Sequence, residues 1–330
     1  MKPGWWAALA ALAALLVAAA AGWRLRQPYQ GFEGEVYVDL PRGTGTLAMG
    51  QRLAAAGVVR SRWDFAAARL LGGNHILQAG EYRFERAATA AEVVGRLASG
   101  DVFFYSLTVP EGWNMFDIAQ AAGGFGVFSA EEFLRAARDP SAIRDLDREA
   151  PSLEGYLFPE TYRIERRTTA GDLCRQMTAR FREAWKRAGA GNGEVHRIVT
   201  MASLVEREGR LAEERPLIAA VFFNRLRAGM PLDCDPTTIY AALLDGRWRG
   251  AIHRSDLASG NPYNTYRRPG LPPGPIANPG LESIRAALHP AASEALYFVA
   301  RPDGSGSHQF STRLGDHQTA VERYRRGAGK

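Results

Sequence analysis

The stretch Thr200-Met-Ala-Ser-Leu-Val-Glu206-Arg-Glu208-Gly209 carries apolar residues at helical spacing and ends in two acids. Most of the predicted helix is apolar, and one stripe is polar: His196, Thr200, Ser203 and Arg207. Glu206 and Glu208 close the last turn on or beside the apolar face. Gly209 follows at a position where many helices end in a left-handed glycine. The stretch therefore predicts a helix that ends in a pair of acids, and the rest of the chain is organised around it.

Two effects raise the pKa of a carboxyl group at this helix end. Burial disfavours its charged form, and the negative end of the helix dipole does the same. Both favour a proton that is retained near neutral pH, which a general acid needs. A solvated helix end, or an ordinary ion pair with Arg207, Arg210 or Arg215, is the alternative interpretation. The stretch alone does not decide between them.

Length and composition indicate about two domains with real cores, since the chain has 330 residues and is 46% hydrophobic. The net charge of +6 comes from 41 Lys and Arg against 35 Asp and Glu, without a dense basic block. That pattern does not indicate a nucleic-acid partner, and it fits a membrane surface or an anionic polymer. Cys174 and Cys234 make no metal motif. They are either one bridge or two buried thiols.

The segment from Trp5 to Trp23, WWAALAALAALLVAAAAGW, is apolar and uncharged. Its length and its terminal tryptophans predict a helix that crosses a lipid bilayer through residues 5–23. The small residues near its end also fit a cleaved signal peptide, which is the alternative. Flanking charge does not settle the orientation, because Lys2 lies on one side and Arg24 and Arg26 lie on the other.

A weak repeat follows the apolar segment. Residues 37–43 and 106–112 each read as a strand that leads into a Pro-x-Gly turn, and a short helix follows each turn, at 47–56 and 115–122. Between them, the sequence predicts a strand at 76–82 and a helix over 89–97. The resulting small βα module is either a recognition domain or a structural spacer.

The second half of the chain combines helices with long polar loops. The loop 152–162 interleaves aromatic and acidic residues, and the run 270–280 is too rich in proline for a helix or a central strand. Long loops on a scaffold commonly carry function. The remaining pattern predicts helices over 173–188, from 213 onward, over 282–288 and from 314 onward, with a hairpin formed by 296–300 and 308–311.

Four segments together resemble the YceG-like family of membrane-anchored endolytic murein transglycosylases. They are SLEGYLFPETY (152–162), ASLVEREG (202–209), ERPLIAAVFFNRLRAGMPLDCDPTTIY (214–240), and NPYNTY (261–266) with GLPPGPIANPG (270–280). The resemblance extends from about residue 30 to 325. It implies an α+β fold with a transmembrane anchor at 1–28, a small LysM-like βα domain at 29–104 and a mixed α+β catalytic domain at 105–330.

The resemblance also implies a reaction and a catalytic residue. The family cuts the β-1,4 bond between N-acetylmuramic acid and N-acetylglucosamine in peptidoglycan without water, and leaves a 1,6-anhydro ring. Because the sugar's own C6 hydroxyl attacks C1, one carboxyl group suffices where ordinary glycosidases use two. The resemblance makes Glu206 that acid and base. Glu206 would first give its proton to the leaving O4, and its carboxylate would then take the proton from O6. Neither of these two proton transfers needs a metal or another cofactor. No HExxH motif or comparable His cluster is present in the sequence.

Further residues within the matching motifs are expected to line the glycan cleft: Glu154, Glu208, Asn224, Asp235, Thr237, Asn264 and Tyr266. Glu208 is also the rival acid, and Asn224 is equally compatible with a structural hydrogen bond. Two residues depart from the family pattern. Gly209 stands where a threonine is common, and Asp233 stands where a glutamine is common.

The expected place is the bacterial cell membrane, with the N-terminus in the cytoplasm and the catalytic domain on the wall side. Peptidoglycan synthases are expected partners only because they share substrate and membrane. An inactive, membrane-tethered glycan-binding scaffold is the alternative function. A lyase acting on aminodeoxychorismate is disfavoured, because an anchor and glycan-type loops do not suit a small cytosolic substrate.

Overall fold

The computed structural model describes residues 4–73, 75–191 and 193–327, and it shows a mixed α+β protein with an apolar N-terminal helix. The chain divides into two compact units, Met1–Tyr105 and Ser106–Lys330. Three two-stranded sheets are present among the described residues. Each unit has its own core.

The first unit begins with helix α1 (Gly4–Arg26). Residues Ala8–Arg26 have a mean hydropathy of 1.9, and none of this span is buried. By length and composition this helix is able to cross a membrane, and a signal sequence would have the same properties.

The folded part of the first unit is a two-stranded antiparallel sheet covered on one face by helices. Strand β1 (Val36–Leu40) pairs with β2 (Gly80–Phe84), and Val38 lies opposite Tyr82. Alternate residues of both strands enter the core, as expected for a sheet with one covered face. The sequence predicted this strand at 76–82, and the structure places it at Gly80–Phe84. The helices are α2 (Thr46–Ala55), α3 (Arg62–Gly72) and α4 (Ala90–Ser99).

The second unit is mainly helical. Its short strands form two pairs, β3 (Tyr105–Thr108) with β4 (Thr161–Ile164) and β5 (Tyr297–Ala300) with β6 (His308–Ser311). The second pair is the predicted hairpin. The helices are α5 (Met115–Gly123), α6 (Ala130–Ala137), α7 (Ala170–Arg187), α8 (Val195–Glu208), α9 (Arg215–Arg227), α10 (Asp235–Leu244), α11 (Arg254–Leu257), α12 (Leu281–Leu288) and α13 (Leu314–Gly327).

Helix α8 lies at the centre of this unit and packs against α9, α10 and α12. Every residue from Ile198 to Val205 is buried, including the polar Thr200 and Ser203. Gly209 ends the helix in an extended conformation (φ −82°, ψ 103°), so the prediction of a left-handed cap there is wrong. A Cβ at this position would lie 3.0 Å from Arg215 Cγ and 3.1 Å from the Val205 carbonyl oxygen. Close approach is therefore what favours glycine here.

The polar stripe of α8 holds the proline-rich loop 270–280, which has no regular secondary structure. Ser203 Oγ accepts a hydrogen bond from the Ile276 N–H at 3.1 Å. One ring nitrogen of His196, Nε2, donates to the Pro273 carbonyl oxygen at 3.0 Å. The other, Nδ1, lies 2.8 Å from the buried carboxylate of Asp147. A stripe that looks solvated in the sequence thus positions a loop.

Candidate active site

A cavity of about 340 Å³ opens beside the C-terminal end of α8. Its wall combines acids with aromatic side chains, a composition suited to a sugar, whose ring faces are apolar and whose hydroxyls need hydrogen bonds. The lining residues are Glu208, Phe222, Arg225, Leu232, Asp233, Cys234, Asp235, Tyr266, Phe298 and His317.

Glu208 is the last residue of α8 and presents its carboxyl group to this cavity. Cys234 contacts it, with 3.3 Å between Cys234 Sγ and Glu208 Oε1. Burial raises the pKa of Glu208, and the nearby charge of Asp235 acts in the same direction, whereas the Cys234 thiol opposes the shift. The group therefore keeps its proton to higher pH than an ordinary glutamate while it remains in contact with the open cavity.

Asp235 and Tyr266 lie beside Glu208 on the same wall. Asp235 is the first residue of α10, where the positive end of the helix dipole favours a carboxylate. The Tyr266 hydroxyl donates to Asp235 Oδ1 at 2.7 Å. This hydrogen bond joins the NPYNTY segment to the Asp-Pro-Thr segment at the rim of the cavity.

Arg225 shapes the loop that forms another side of the wall. Its guanidinium donates to the Leu296 carbonyl at 2.7 Å and to the carbonyls of Pro231 and Leu232, each at 3.1 Å. Its Nη1 also lies 3.3 Å from Asp233 Oδ2. Asp233 is in the left-handed region with φ 49°, which is strained for a residue with a Cβ. Arg225 thus holds a strained loop against the start of the β5–β6 hairpin.

Glu206 has different surroundings, although it is only two residues from Glu208. Its Oε1 accepts from Arg215 Nη2 at 3.1 Å and its Oε2 accepts from the Gly280 N–H at 2.9 Å. The Glu206 side chain is only 5% exposed. Within the described ranges, it is not among the residues that form the cavity wall. Burial raises its pKa, while the Gly280 N–H and the Arg215 charge act in the opposite direction.

The Gly280 contact links Glu206 to the start of α12. Gly280 occupies the N-cap position of that helix and has no side chain to supply a capping oxygen. Glu206 binds the backbone at this point and, through Arg215, connects it to α9 and to Glu111, which lies 3.4 Å from Arg215 Nη2. The ion pair with Arg215 is one of the alternatives that the sequence left open.

Glu154 is fully buried and binds the loop segment that contains Asn278. Its two carboxyl oxygens accept from the Met115 N–H at 2.9 Å and from Asn278 Nδ2 at 2.8 Å. Asn278 Oδ1 in turn accepts from the N–H groups of Gly155 and Leu157, each at 2.9 Å. Burial raises the pKa of Glu154 to about 8. Glu154 thus lies in the interior, where it ties the 152–162 segment to loop 270–280.

Thr237 and Asn264 are also buried, behind the cavity wall. Thr237 Oγ1 donates to the Cys234 carbonyl at 2.6 Å and lies 2.9 Å from Thr265 Oγ1. Asn264 Nδ2 donates to three backbone carbonyls of the preceding segment, at 2.8 to 3.3 Å. These hydrogen bonds fix the two segments that carry Asp235 and Tyr266.

Asn224 makes the structural hydrogen bonds that the sequence left as one alternative. Its Nδ2 donates to the carbonyls of Ser293 and Ala295 at 2.8 and 2.9 Å, and Arg227 donates to its Oδ1. The amide therefore connects α9 to the segment that leads into the hairpin. Cys174 and Cys234 are both free and buried.

Of the residues expected in the cleft, the structure brings Glu208, Asp235 and Tyr266 together on one wall. Sequence reasoning did not identify Phe222, Arg225, Phe298 and His317 as part of the wall. His317 belongs to the last predicted helix, where a polar residue between Leu314 and Val321 was the available signal. Nothing local marks Arg225 as part of the wall, because its shortest hydrogen bond goes to the Leu296 carbonyl, 71 positions along the chain.

A comparison with known protein families identifies the family of the chain. The sequence profile of the YceG-like family matches residues 38–323, nearly all of the chain. The chain belongs to the YceG-like family.

Relatives of this YceG-like chain carry the name endolytic murein transglycosylase. The Bacillus subtilis protein is 34% identical over 309 residues, which cover 88% of this chain and 84% of that protein. A Streptococcus pneumoniae protein is 31% identical over 321 residues, which cover 87% of this chain and 58% of the longer relative.

A crystal structure of a yceG-like protein from Listeria monocytogenes is similar to this chain, with a TM-score of 0.55 and 28% identity. The similarity covers 86% of this chain and 98% of that one. In the present YceG-like chain, the four motif segments meet around α8. Ser203 binds Ile276, Glu154 binds Asn278, and Tyr266 binds Asp235.

Proposed function

We propose that this chain is an endolytic murein transglycosylase that cuts peptidoglycan glycan strands at the β-1,4 bond between N-acetylmuramic acid and N-acetylglucosamine. Family membership and the names of relatives at 31–34% identity support the activity. The observation that carries the assignment to a site is the position of Glu208, a carboxyl group with a raised pKa on the wall of an open, partly aromatic cavity.

In the proposed reaction, Glu208 first donates its proton to the glycosidic O4 as the C1–O4 bond breaks. The muramic acid C6 hydroxyl then attacks C1, and the newly formed carboxylate of Glu208 takes the proton from O6. The product end carries a 1,6-anhydro ring and no water is consumed. A raised pKa favours the first step, and the loss of the proton prepares the second. The nearby Asp235 carboxylate is suited to stabilise the positive charge that develops at C1.

Glu206 is the other candidate for the acid. Its pKa is also raised, but its two carboxyl oxygens already accept hydrogen bonds from Arg215 and Gly280. We therefore assign the proton transfers to Glu208 and a positioning role to Glu206. Glu154, Asn224, Thr237 and Asn264 are assigned to the support of the cavity wall, since each is held by partners within the protein.

The reaction is tested by incubating the full chain with unmodified peptidoglycan and analysing the products by mass spectrometry. We expect 1,6-anhydromuramic ends from within the strands, and no such products from the Glu208→Gln variant. Reducing ends without the anhydro ring would contradict the mechanism. Binding of glycan without any turnover, across pH and strand length, would instead support an inactive scaffold.

We propose further that α1 is retained as a membrane anchor, with residues 29–104 as a LysM-like domain and residues 105–330 as the catalytic domain on the wall side. The length and hydropathy of α1 support the anchor. Cutting at the membrane would act on nascent strands and set their length. Association with peptidoglycan synthases follows only from the shared substrate and membrane, and in-cell crosslinking that recovers no synthase would remove it.

A further inference from the structure

Helix α3 has two apolar faces, and the core of the first unit uses only one of them. Phe65 and Ala68 are buried among the core residues. On the outer side, Trp63 is 60% exposed, and Leu70 and Leu71 are 84% and 77% exposed. Positions i, i+7 and i+8 lie on one side of a helix, so these three side chains form a continuous stripe. Ile76, which is 86% exposed, follows the helix and completes what we call the α3 stripe.

The start of α3 is fixed to the end of the apolar helix α1. Arg24 forms an ion pair with Asp64, with 2.9 Å between Nη2 and Oδ2. Arg60 donates to the carbonyls of Arg24, Gln27 and Pro28 at 3.2 to 3.4 Å. These contacts hold the α1 end and the α3 start together.

No flexible linker separates α1 from the first folded unit. Leu25 packs against the core of that unit, and Tyr29, three residues after the helix ends, already pairs with Ala88. Trp23 and Trp63 are the sequence neighbours of the paired Arg24 and Asp64, and both are exposed.

We propose that the α3 stripe lies in the interface of the lipid bilayer that α1 crosses, so that the first unit has a second membrane contact. This inference rests on the proposed retention of α1 as an anchor. Tryptophan and leucine beside basic side chains are typical of helices that lie in the headgroup region. Arg62, whose guanidinium lies 4.9 Å from the Trp63 ring centroid, and Arg69 provide the positive charge for anionic headgroups.

The partner is a lipid surface because the start of α3, where the stripe begins, is joined by the Arg24–Asp64 ion pair to the end of the helix that crosses the membrane. A protein partner would need no such connection to α1. Exposed apolar side chains of this size are otherwise unfavourable on a soluble domain when they adjoin one another. Burial in the interface removes that unfavourable exposure without any rearrangement of the unit.

The test uses the full chain in vesicles of phosphatidylcholine and phosphatidylglycerol, with an environment-sensitive fluorophore on a single introduced cysteine. Leu70→Cys reports on the α3 stripe, and Leu12→Cys reports on α1. Glu35→Cys is the matched control, because Glu35 is exposed and pairs with Arg83 on the face of the sheet opposite the core. The native thiols are buried, so the unsubstituted chain measures background labelling.

We expect lipid-borne nitroxide near the headgroups to reduce the fluorescence at position 70 by roughly twofold, as for an interfacial helix. The fluorophore at position 35 should respond only to aqueous iodide. Iodide quenching at position 70 together with lipid quenching at position 12 would overturn the α3 contact and leave the anchor intact. Loss of lipid quenching at position 12 would overturn the anchor and this proposal with it. A blue shift at position 70 without lipid quenching would place a protein there instead, and would also overturn the proposal.

Discussion

Glu206 and Glu208 lie on the same last turn of α8, but their carboxyl groups have different surroundings. Glu206 is held between Arg215 and the Gly280 N–H and faces the start of α12. Glu208 faces the cavity and contacts the Cys234 thiol. Burial raises the pKa of both carboxyl groups. A raised pKa therefore does not by itself identify a catalytic acid, and access to a space that admits substrate is the discriminating property.

The strongest test of the different roles of Glu206 and Glu208 replaces each in turn with glutamine. Glu208→Gln should lower the rate of glycan cutting by at least about 10²-fold, because the amide has no proton to donate to O4. Glu206→Gln should lower it by no more than about tenfold, through displacement of loop 270–280. Turnover of purified strands, with muropeptides quantified by mass spectrometry, gives both values. A larger loss for Glu206→Gln would return the catalytic role to Glu206.

Unfolding free energy tests the positioning role of Glu206. Glu206→Gln removes the charge that pairs with Arg215 in a buried setting, and we expect a loss of about 1–3 kcal/mol in unfolding free energy. Glu282→Gln is a matched control on α12, because Glu282 pairs with Arg285 at the surface, where such a change costs about 1 kcal/mol or less. Thermal unfolding of the detergent-solubilised chain measures both. Equal shifts would mean that Glu206 is no more structural than a surface acid.

Glu154 extends the comparison to a third carboxyl group, through the pH dependence of folding stability. The pKa of Glu154 is raised from 4.5 to about 8, so the folded chain binds a proton that the unfolded chain releases. That stabilisation is complete below pH 4.5 and is lost as the pH rises to about 8. Glu154→Gln should flatten the fall in melting temperature over this range, although it lowers the melting temperature itself. Glu160→Gln, which changes a more exposed acid of the same segment, should retain the slope.

The smallest expected effect concerns the thiol beside Glu208. The Cys234 contact lowers the pKa of Glu208, so Cys234→Ala should move the alkaline limb of the pH–activity profile to higher pH. Cys234→Ser keeps a hydrogen-bond donor and should leave the limb near its wild-type position. If the two variants shift the limb equally, the effect comes from packing around Cys234, and the proposed hydrogen bond is not its cause.

Much of the fold follows from local pattern. The apolar periodicity of 195–208, Pro216 in the first turn of α9, and the composition of loop 270–280 each predicted the observed kind of structure. The acids expected in the first turn of α9 lie instead in a short 3-10 turn, Ala212–Glu214, that precedes it. Gly43 and Gly112, which end the two Pro-x-Gly turns, have φ of 80° and 79°. The strand bounds near residue 80 and the conformation of Gly209 differed, because both depend on close tertiary neighbours. Helices α3, α6 and α10, and strand β4 at the end of the 152–162 segment, were also not predicted from the sequence.

The site was harder to predict, for a physical reason. Residues two positions apart on a helix point in very different directions, so the environment of each acid depends on what packs there. The groups that separate Glu206 from Glu208 are Arg215, Gly280 and Cys234, which come from three other parts of the chain. Buried amides such as Asn264 look like ligand contacts in a motif, since hydrogen-bonding side chains serve substrates and loops equally well.

The hydrogen bonds of His196 make the stability of the second unit depend on pH in alkaline solution. Both ring nitrogens face acceptors, Asp147 and the Pro273 carbonyl, so the arrangement is complete only for the imidazolium form. The Asp147 hydrogen bond raises the pKa of His196, the burial of the ring opposes this, and the charge of Glu149 adds to the increase. This stabilisation is present below the ordinary pKa of 6.5 and disappears as the pH rises through the higher folded-state value. Above that value one of the two acceptors loses its donor, and the proline-rich segment that α8 holds in place becomes sensitive to alkalinity.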